Sequence, residues 1–215
     1  DAVRFGTMLM APQGLDVLFS NSRLEVGRNF MNKLWNASRF IQMNLEDGKL
    51  PKIDLDSVEL DMPERWILSQ LNQTAMKVNR QLDRFHFNEA AKAIYEFTWS
   101  DFCDWYIEIA KTRFYGDNPE KANISRAVAV HVIQGILKLL HPYSPFITEE
   151  LWAEFRSDDD SDLIISPWLK GDPSMEDNTA DTTMDLLKDI VTAVRTIRSR
   201  MNVPPGKKAD LVIRN

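Results

Sequence analysis

Apolar residues recur at helical spacing along almost the whole chain, and this recurrence limits the fold more than any other property of the sequence. In "PERWILSQLNQTAMKVNRQLDRF" the stripe is Ile67, Leu71, Ala75, Val78 and Leu82, the repeat of an α-helix with one face toward a core. Pro63 stands in the first turn of that helix, where proline is tolerated. The same pattern predicts a short helix in "DAVRFGTMLM" and, after the loop "APQGLDVLFSN", a helix from Ser22 or Arg23 to Asn44. A fourth begins near Asn88 and runs through "EAAKAIYEFTWSDFCDWYIEIAK". A fifth, "ISRAVAVHVIQGILKLL", is halted by Pro142 and Pro145, and a short one follows in "TEELWAEF". The last spans Thr182 to Met201, with Leu187, Ile190, Val194 and Ile197 in its stripe. Only Leu163–Ile165 and the terminal "ADLVIR" read as strands. The fold class expected is therefore mainly all-α, an antiparallel helical bundle over residues 1–156. An acidic loop over 157–181 and a last helix with the start of a small α/β appendage over 182–215 complete it.

Charge is unevenly distributed. The formal net charge is −6, which alone disfavours a polyanionic partner. Residues 151–185 hold ten acidic groups and two basic ones, whereas residues 186–215 hold seven basic and two acidic. Residues 23–39 add Arg23, Arg28, Lys33 and Arg39 against Glu25 alone. Basic islands of this kind are compatible with RNA binding. The single cysteine, Cys103, excludes an internal disulfide and a cysteine-rich zinc site. It reads as core packing in an aromatic-rich helix. His86, His131 and His141 lack metal-ligand spacing, no glycine-rich phosphate loop is present, and no apolar run is long enough to span a bilayer. No catalytic residue, metal or cofactor is expected in this chain. A cytoplasmic location, without membrane association, is expected.

The stretch "RNFMNKLWNASRF", residues 28–40, is the one place where the pattern suggests a ligand. At about 100° per residue, Leu24, Gly27, Met31, Leu34, Ser38 and Ile41 share one arc, and Gly27 admits a close neighbouring helix. Arg28, Asn29, Asn32, Asn36, Arg39 and Phe40 lie opposite. Asparagine is a poor helix former, so three on one face need another reason. A ring, amides and guanidinium groups together suit an unpaired base, its edge and its phosphate. The same face also suits a helix–helix contact that buries Phe40, and the wheel leaves both readings open.

Four motifs in order, "RNFMNKLWNASRF", "FNEAAKAIYEFTWSDFCDWYIEIAK", "HPYSPFITEELW" and "RTIRSRMNVPPGKK", resemble the C-terminal half of the valyl-tRNA synthetase family of class I aminoacyl-tRNA synthetases. "DAVRF" is similar to the element that opens the anticodon-binding domain in this subgroup. "HPYSPFITEELW" is shared with isoleucyl and leucyl enzymes, whereas "WSDFCDWYIEIAK" and "MNVPPGKK" are closer to the valyl pattern. The resemblance implies a helical domain that grips the anticodon stem and loop of tRNA-Val. It implies a parent valine–tRNA ligase that attaches valine with ATP, and the parent's own catalytic domain as a second partner. The HIGH and KMSKS signatures are absent, as are the editing insertion and the C-terminal coiled coil. The chain alone is thus expected to be inactive and monomeric.

Carried over by position, the family's anticodon-reading element falls on Asn36, Ala37, Ser38, Arg39 and Phe40, with Phe40 stacking on a base. Asn32 and Arg28 share that face. Ile107 and Glu108, in the helix matching "CDWYIEIAK", come second, and Arg195, Arg198 and Arg200 are candidate backbone contacts. Ser38 replaces the usual alanine, on the buried arc. Ser22 stands where relatives often carry a basic residue. The alternatives are a helical protein-interaction bundle that binds no RNA, or the same domain of an isoleucyl-type enzyme.

Overall fold

The computed structural model describes residues 1–10, 21–157, 161–204 and 206–208, with side chains in the second helix from Leu24 onward. Its helices are α1 (Ala2–Met10), α2 (Asn21–Met43), α3 (Met62–Asp83) and α4 (Phe87–Glu96), then α5 (Ile107–Phe114), α6 (Pro119–Leu140), α7 (Pro145–Phe155) and α8 (Asn178–Arg200). The chain divides into two compact units, residues 1–177 and 178–215. The predicted loop over 11–20 and the predicted strand over 209–214 lie outside the described residues.

Within the first unit α6 is the central element, packed on α2, α3, α4, α5 and α7. Its sequence explains this position. Val128, Ala129, Val132, Ile133, Ile136, Leu137, Leu139 and Leu140 are all buried, and a helix that is apolar nearly all round belongs inside. It begins earlier than the periodicity suggests, because Pro119 occupies the first turn and the Asn118 side chain accepts from the Lys121 N–H at 3.0 Å. Such a cap satisfies one of the donors that every helix start leaves open. Pro145, read above as a stop, instead opens α7. Proline ends one helix and begins the next for the same reason, its missing N–H.

The helix expected to run unbroken from Asn88 is regular only at its ends. Phe97–Tyr106 is a π-helix between α4 and α5, wider than an α-helix and commonly tied to a local demand on side-chain placement. Here Phe102, Cys103 and Tyr106 turn inward, and the Tyr106 hydroxyl donates to the Ser125 carbonyl at 3.2 Å. Burial pushes the Cys103 thiol up to about 12, which makes it a packing group rather than a nucleophile.

At the N-terminus α1 lies against α2, and Gly27 permits the approach. A Cβ there would stand 2.1 Å from the Ala2 carbonyl oxygen. Leu163–Ile165, expected as a strand, is a 3-10 turn in which only Leu163 is buried, with Ile164 and Ile165 exposed. Two of three side chains in water leave no alternating pattern for a sheet to use.

Residues 168–177 form a strap along α3. The Asn79 amide donates to the Leu169 and Lys170 carbonyls at 3.0 and 2.9 Å, and its oxygen accepts from Trp168 Nε1 at 2.6 Å. Asn72 exchanges two bonds of 2.7 Å with the backbone of Asp172. The Asp177 N–H donates to Ser69 Oγ at 2.9 Å, and Arg65 pairs with the Asp177 carboxylate at 2.7 Å. Gly171, at φ +76, makes the turn between these anchors, and a Cβ there would stand 2.9 Å from the Asn72 carbonyl. The segment read as an acidic loop is thus stitched to the bundle through Asp177.

Candidate nucleic-acid interface

Helix α2 divides as the wheel predicts except at Leu24 and Phe40, both half-buried. Gly27, Met31, Leu34, Ser38 and Ile41 are buried, joined by Phe30 and Ala37, while Arg28, Asn29, Asn32, Asn36 and Arg39 are exposed. Asn32, Asn36 and Arg39 make no hydrogen bond or ion pair among the described residues. Arg28 approaches Glu25 at 3.7 Å with both side chains largely in water, a pairing worth at most ~1 kcal/mol. Trp35, 39% exposed, borders the stripe, about 20° from Arg28 and 40° from Arg39 on the helix circumference. The wheel gave this residue no part.

Phe40 stands on the other border and is half-buried rather than free in solvent. Its ring stacks on Phe114, with centroids 5.9 Å apart and planes 23° apart, and Lys111 Nζ lies 5.4 Å from its centroid. A wheel holds one helix only, so it could not register the C-terminal end of α5 arriving at this edge. Phe114 is itself buried, with the Arg126 guanidinium 5.8 Å from its ring centroid. Arg126 Nε donates to the Asn44 carbonyl at 2.7 Å and Nη1 to Asn123 Oδ1 at 2.9 Å. The Asn44 amide then donates to the Phe40 carbonyl at 2.8 Å.

The pair Ile107 and Glu108 separates. Ile107 is buried and packs in the core, while Glu108 is exposed and accepts from Lys111 Nζ at 2.6 Å. Lys33 pairs with Asp104 and lies 4.3 Å over the Trp99 ring. Arg28, Lys33 and Lys111 pair with Glu25, Asp104 and Glu108, and Arg39 and Arg126 make no such pair among the described residues, which leaves the α2–α5 edge positive on balance. A positive surface with idle amides is what a polyanion carrying readable edges requires.

The end of α5 is also held from behind. Arg113 pairs with Asp61 at 2.7 Å and with Glu64 at 3.5 Å, and Lys121 reaches Asp61 at 2.8 Å. The bonds from Lys121 and Arg113 lower the Asp61 pKa below its ordinary value. Burial raises that of Glu64, whose Oε1 accepts from Ser125 Oγ at 2.7 Å and whose Oε2 has no hydrogen-bond partner among the described residues. Desolvation disfavours the charged carboxylate more than one cation at 3.5 Å favours it.

Arg195, Arg198 and Arg200 belong to α8, in the second unit. Arg198 Nη2 donates to the Pro204 and Lys207 carbonyls at 2.6 and 2.7 Å and so closes the turn after its own helix. Arg195 and Arg200 are exposed. Among the described residues no three histidine, cysteine, aspartate or glutamate side chains are placed to hold a metal, and no helix is long and apolar enough to cross a membrane.

Sequence reasoning did not identify Trp35, Lys111, Phe114 or Arg126 at this edge. Phe114 had a local signal, since it follows Ile107 by two helical turns on one face. Arg126 had none, because it comes from another helix.

Comparison with known proteins bears on the family and the fold. The model of the anticodon-binding domain of tRNA ligases matches residues 64–213, a span that begins after α2. The valine–tRNA ligase of Syntrophotalea carbinolica is 44% identical over 214 residues, covering 99% of this chain and 24% of the relative. That of Fusobacterium nucleatum is 40% identical over 217 residues, again 99% of this chain and 24% of the relative. The chain thus spans about a quarter of the length of the curated relatives it matches. Among solved structures, LeuRS of Agrobacterium radiobacter K84, in a ternary complex with tRNA and LeuAMS, superposes with a TM-score of 0.60 at 21% identity. That match covers 98% of this chain and 27% of LeuRS. The free methionyl-tRNA synthetase of Mycobacterium tuberculosis gives 0.58 at 18% identity, over 70% of this chain and 31% of its own. These two likenesses concern the fold.

Proposed function

The chain belongs to the family of anticodon-binding domains of tRNA ligases, and from that premise we propose that it holds the anticodon stem-loop of a valine tRNA against the exposed face of α2. The observation that carries this reading is the idle polar stripe. Asn32, Asn36 and Arg39 are exposed without partners among the described residues, and a half-buried ring, Phe40, borders them. In this reading Phe40 stacks on an anticodon base, Asn36 and Asn32 read base edges, and Arg39 and Arg28 meet phosphates or bases. Lys111, held near Phe40 by the exposed Glu108, can turn to a phosphate as the base arrives. Arg195 and Arg200 are proposed as further backbone contacts in the second unit.

The relatives' name supports valine as the amino acid. Attachment of valine to tRNA at the expense of ATP is proposed for a full-length protein that contains this chain, and that work belongs to the cytoplasm. The chain itself is proposed to bind as a monomer and to catalyse nothing.

The test is titration of a valine anticodon stem-loop at two salt concentrations. Affinity should fall as salt rises, since phosphate contacts release counterions. Phe40→Ala should weaken binding by ~1–3 kcal/mol if one base stacks. A folded Phe40→Ala protein with wild-type affinity would overturn the reading, and equal affinity for an isoleucine stem-loop would overturn its valine part.

A further inference from the structure

The contacts around Phe40 close into a ring. Its carbonyl accepts from the Asn44 amide, the Asn44 carbonyl accepts from Arg126, the Arg126 guanidinium lies over Phe114, and Phe114 stacks on Phe40. Both the backbone and the ring plane of Phe40 are thereby fixed by one circuit that passes through α2, α5 and α6. Phe114 is 7% exposed, so a base that stacks on Phe40 cannot replace it. Arg126 is anchored by two hydrogen bonds of 2.7 and 2.9 Å, so its charge is committed to the circuit.

We infer that Phe114 and Arg126 are positioning residues for base stacking, which hold the Phe40 ring in its stacking plane before any RNA arrives. The inference rests on the reading of Phe40 as the stacking residue and adds to it the means by which the ring is set. A phenylalanine at a helix edge ordinarily samples several rotamers, and binding must then select one of them. Here the guanidinium and the first ring form two layers, Phe40 is the third, and the incoming base becomes the fourth. Cation–π and offset ring contacts both favour this order. Preorganisation improves affinity by removing the ordering cost of the side chain, a factor of roughly two to twelve for one residue. Lys111 Nζ also lies 5.4 Å from the Phe40 centroid, paired with the exposed Glu108, but as a flexible surface side chain it is outside the circuit.

The experiment uses the intact protein and a valine anticodon stem-loop carrying 2-aminopurine at each anticodon position in turn, since the fluorescence of this base falls when it stacks. Wild type should quench one position strongly. Phe114→Leu and Arg126→Gln should weaken binding roughly two- to twelvefold, reduce that quench, and leave the slope of affinity against salt unchanged. Phe114→Tyr should restore the quench. A folded Phe114→Leu protein with wild-type affinity and quench would overturn the inference, as would lost affinity with an undiminished quench. Should Phe114→Leu fail to fold by circular dichroism, Arg126→Gln decides, because the half-buried Arg126 side chain can be replaced without opening the core. A shallower salt slope for Arg126→Gln would mean that Arg126 meets a phosphate, which also overturns it. If wild type shows no binding, or Phe40→Ala quenches as wild type does, the stacking reading itself has failed, and that result is distinct from the others.

Discussion

Helices α2 and α3 are nearly the same length, 23 and 22 residues, and both carry asparagines, yet they use them in opposite ways. On α3, Asn72 and Asn79 bind the strap with both ends of their amides. On α2, Asn32 and Asn36 have no partner among the described residues. Asparagine lowers helix stability in either place, but on α3 the deficit is offset inside the molecule by bonds that tie down a whole segment. On α2 nothing inside offsets it. The difference separates a polar residue that builds the fold from one kept for something outside it.

The comparison can be attacked by mutation. Asn79→Ala should have the largest effect, a loss of about 3 kcal/mol, because it strands the Leu169 and Lys170 carbonyls and the Trp168 indole N–H together. In a chain of this size each kcal/mol lowers the melting temperature by roughly 2–4 °C, so thermal unfolding reads it directly. Asn72→Ala should cost about 1–2 kcal/mol and expose the strap near Asp172 to limited proteolysis. If either variant melts with wild type, the strap is not held as described.

The buried carboxylate at the start of α3 sharpens the contrast through pH. Burial raises the Glu64 pKa above its ordinary value of 4.5, so the fold disfavours the charged form. Its contribution to stability is then greatest below 4.5 and is lost as pH rises through the folded-state value. Asp61, held low by Lys121 and Arg113, has the opposite sign, contributing above its ordinary value and losing that contribution as pH falls through the folded-state value. Glu64→Gln should therefore gain on wild type in urea unfolding as pH is raised from 4.5 toward neutrality. A constant difference across that range would show that Glu64 is not penalised by burial.

The smallest effect is expected on α2. Asn36→Ala should leave stability unchanged or raise it, by no more than ~0.7 kcal/mol from helix propensity, while weakening stem-loop binding. If Asn36→Ala destabilised the fold as Asn79→Ala does, the distinction between the two helices would collapse.

How much of this could be read from the sequence follows the same division. The buried and exposed arcs of α2 were legible because they depend on one helix and one repeat, and Pro63 marked a helix start for an equally local reason. The strap was not legible, since Asn72 and Asn79 meet partners about a hundred residues further along and no local pattern joins them. Nor was the π-helix at Phe97–Tyr106, whose aromatic residues satisfy an α-helical stripe loosely and a wider one better. Among the site residues, Asn32, Asn36 and Arg39 stand exposed as expected. Half-burial of Phe40 and full burial of Ile107 depend on where α5 ends against its neighbours, and a single-helix projection contains no neighbours.

The strap also has a mechanical meaning. It runs antiparallel to α3, with Asp177 at Arg65 and Ser69, Asp172 at Asn72, and residues 168–170 at Asn79. From Arg65 to Asn79 these anchors are 14 helical steps apart, roughly 21 Å at 1.5 Å per residue. Any tension carried along the backbone from residues beyond Asp177 would load Arg65 and Ser69 first, Asn72 next and Asn79 last. The strap is a strain relief, in the sense used for a cable: a pull on the backbone at Asp177 is met bond by bond along a rigid rod.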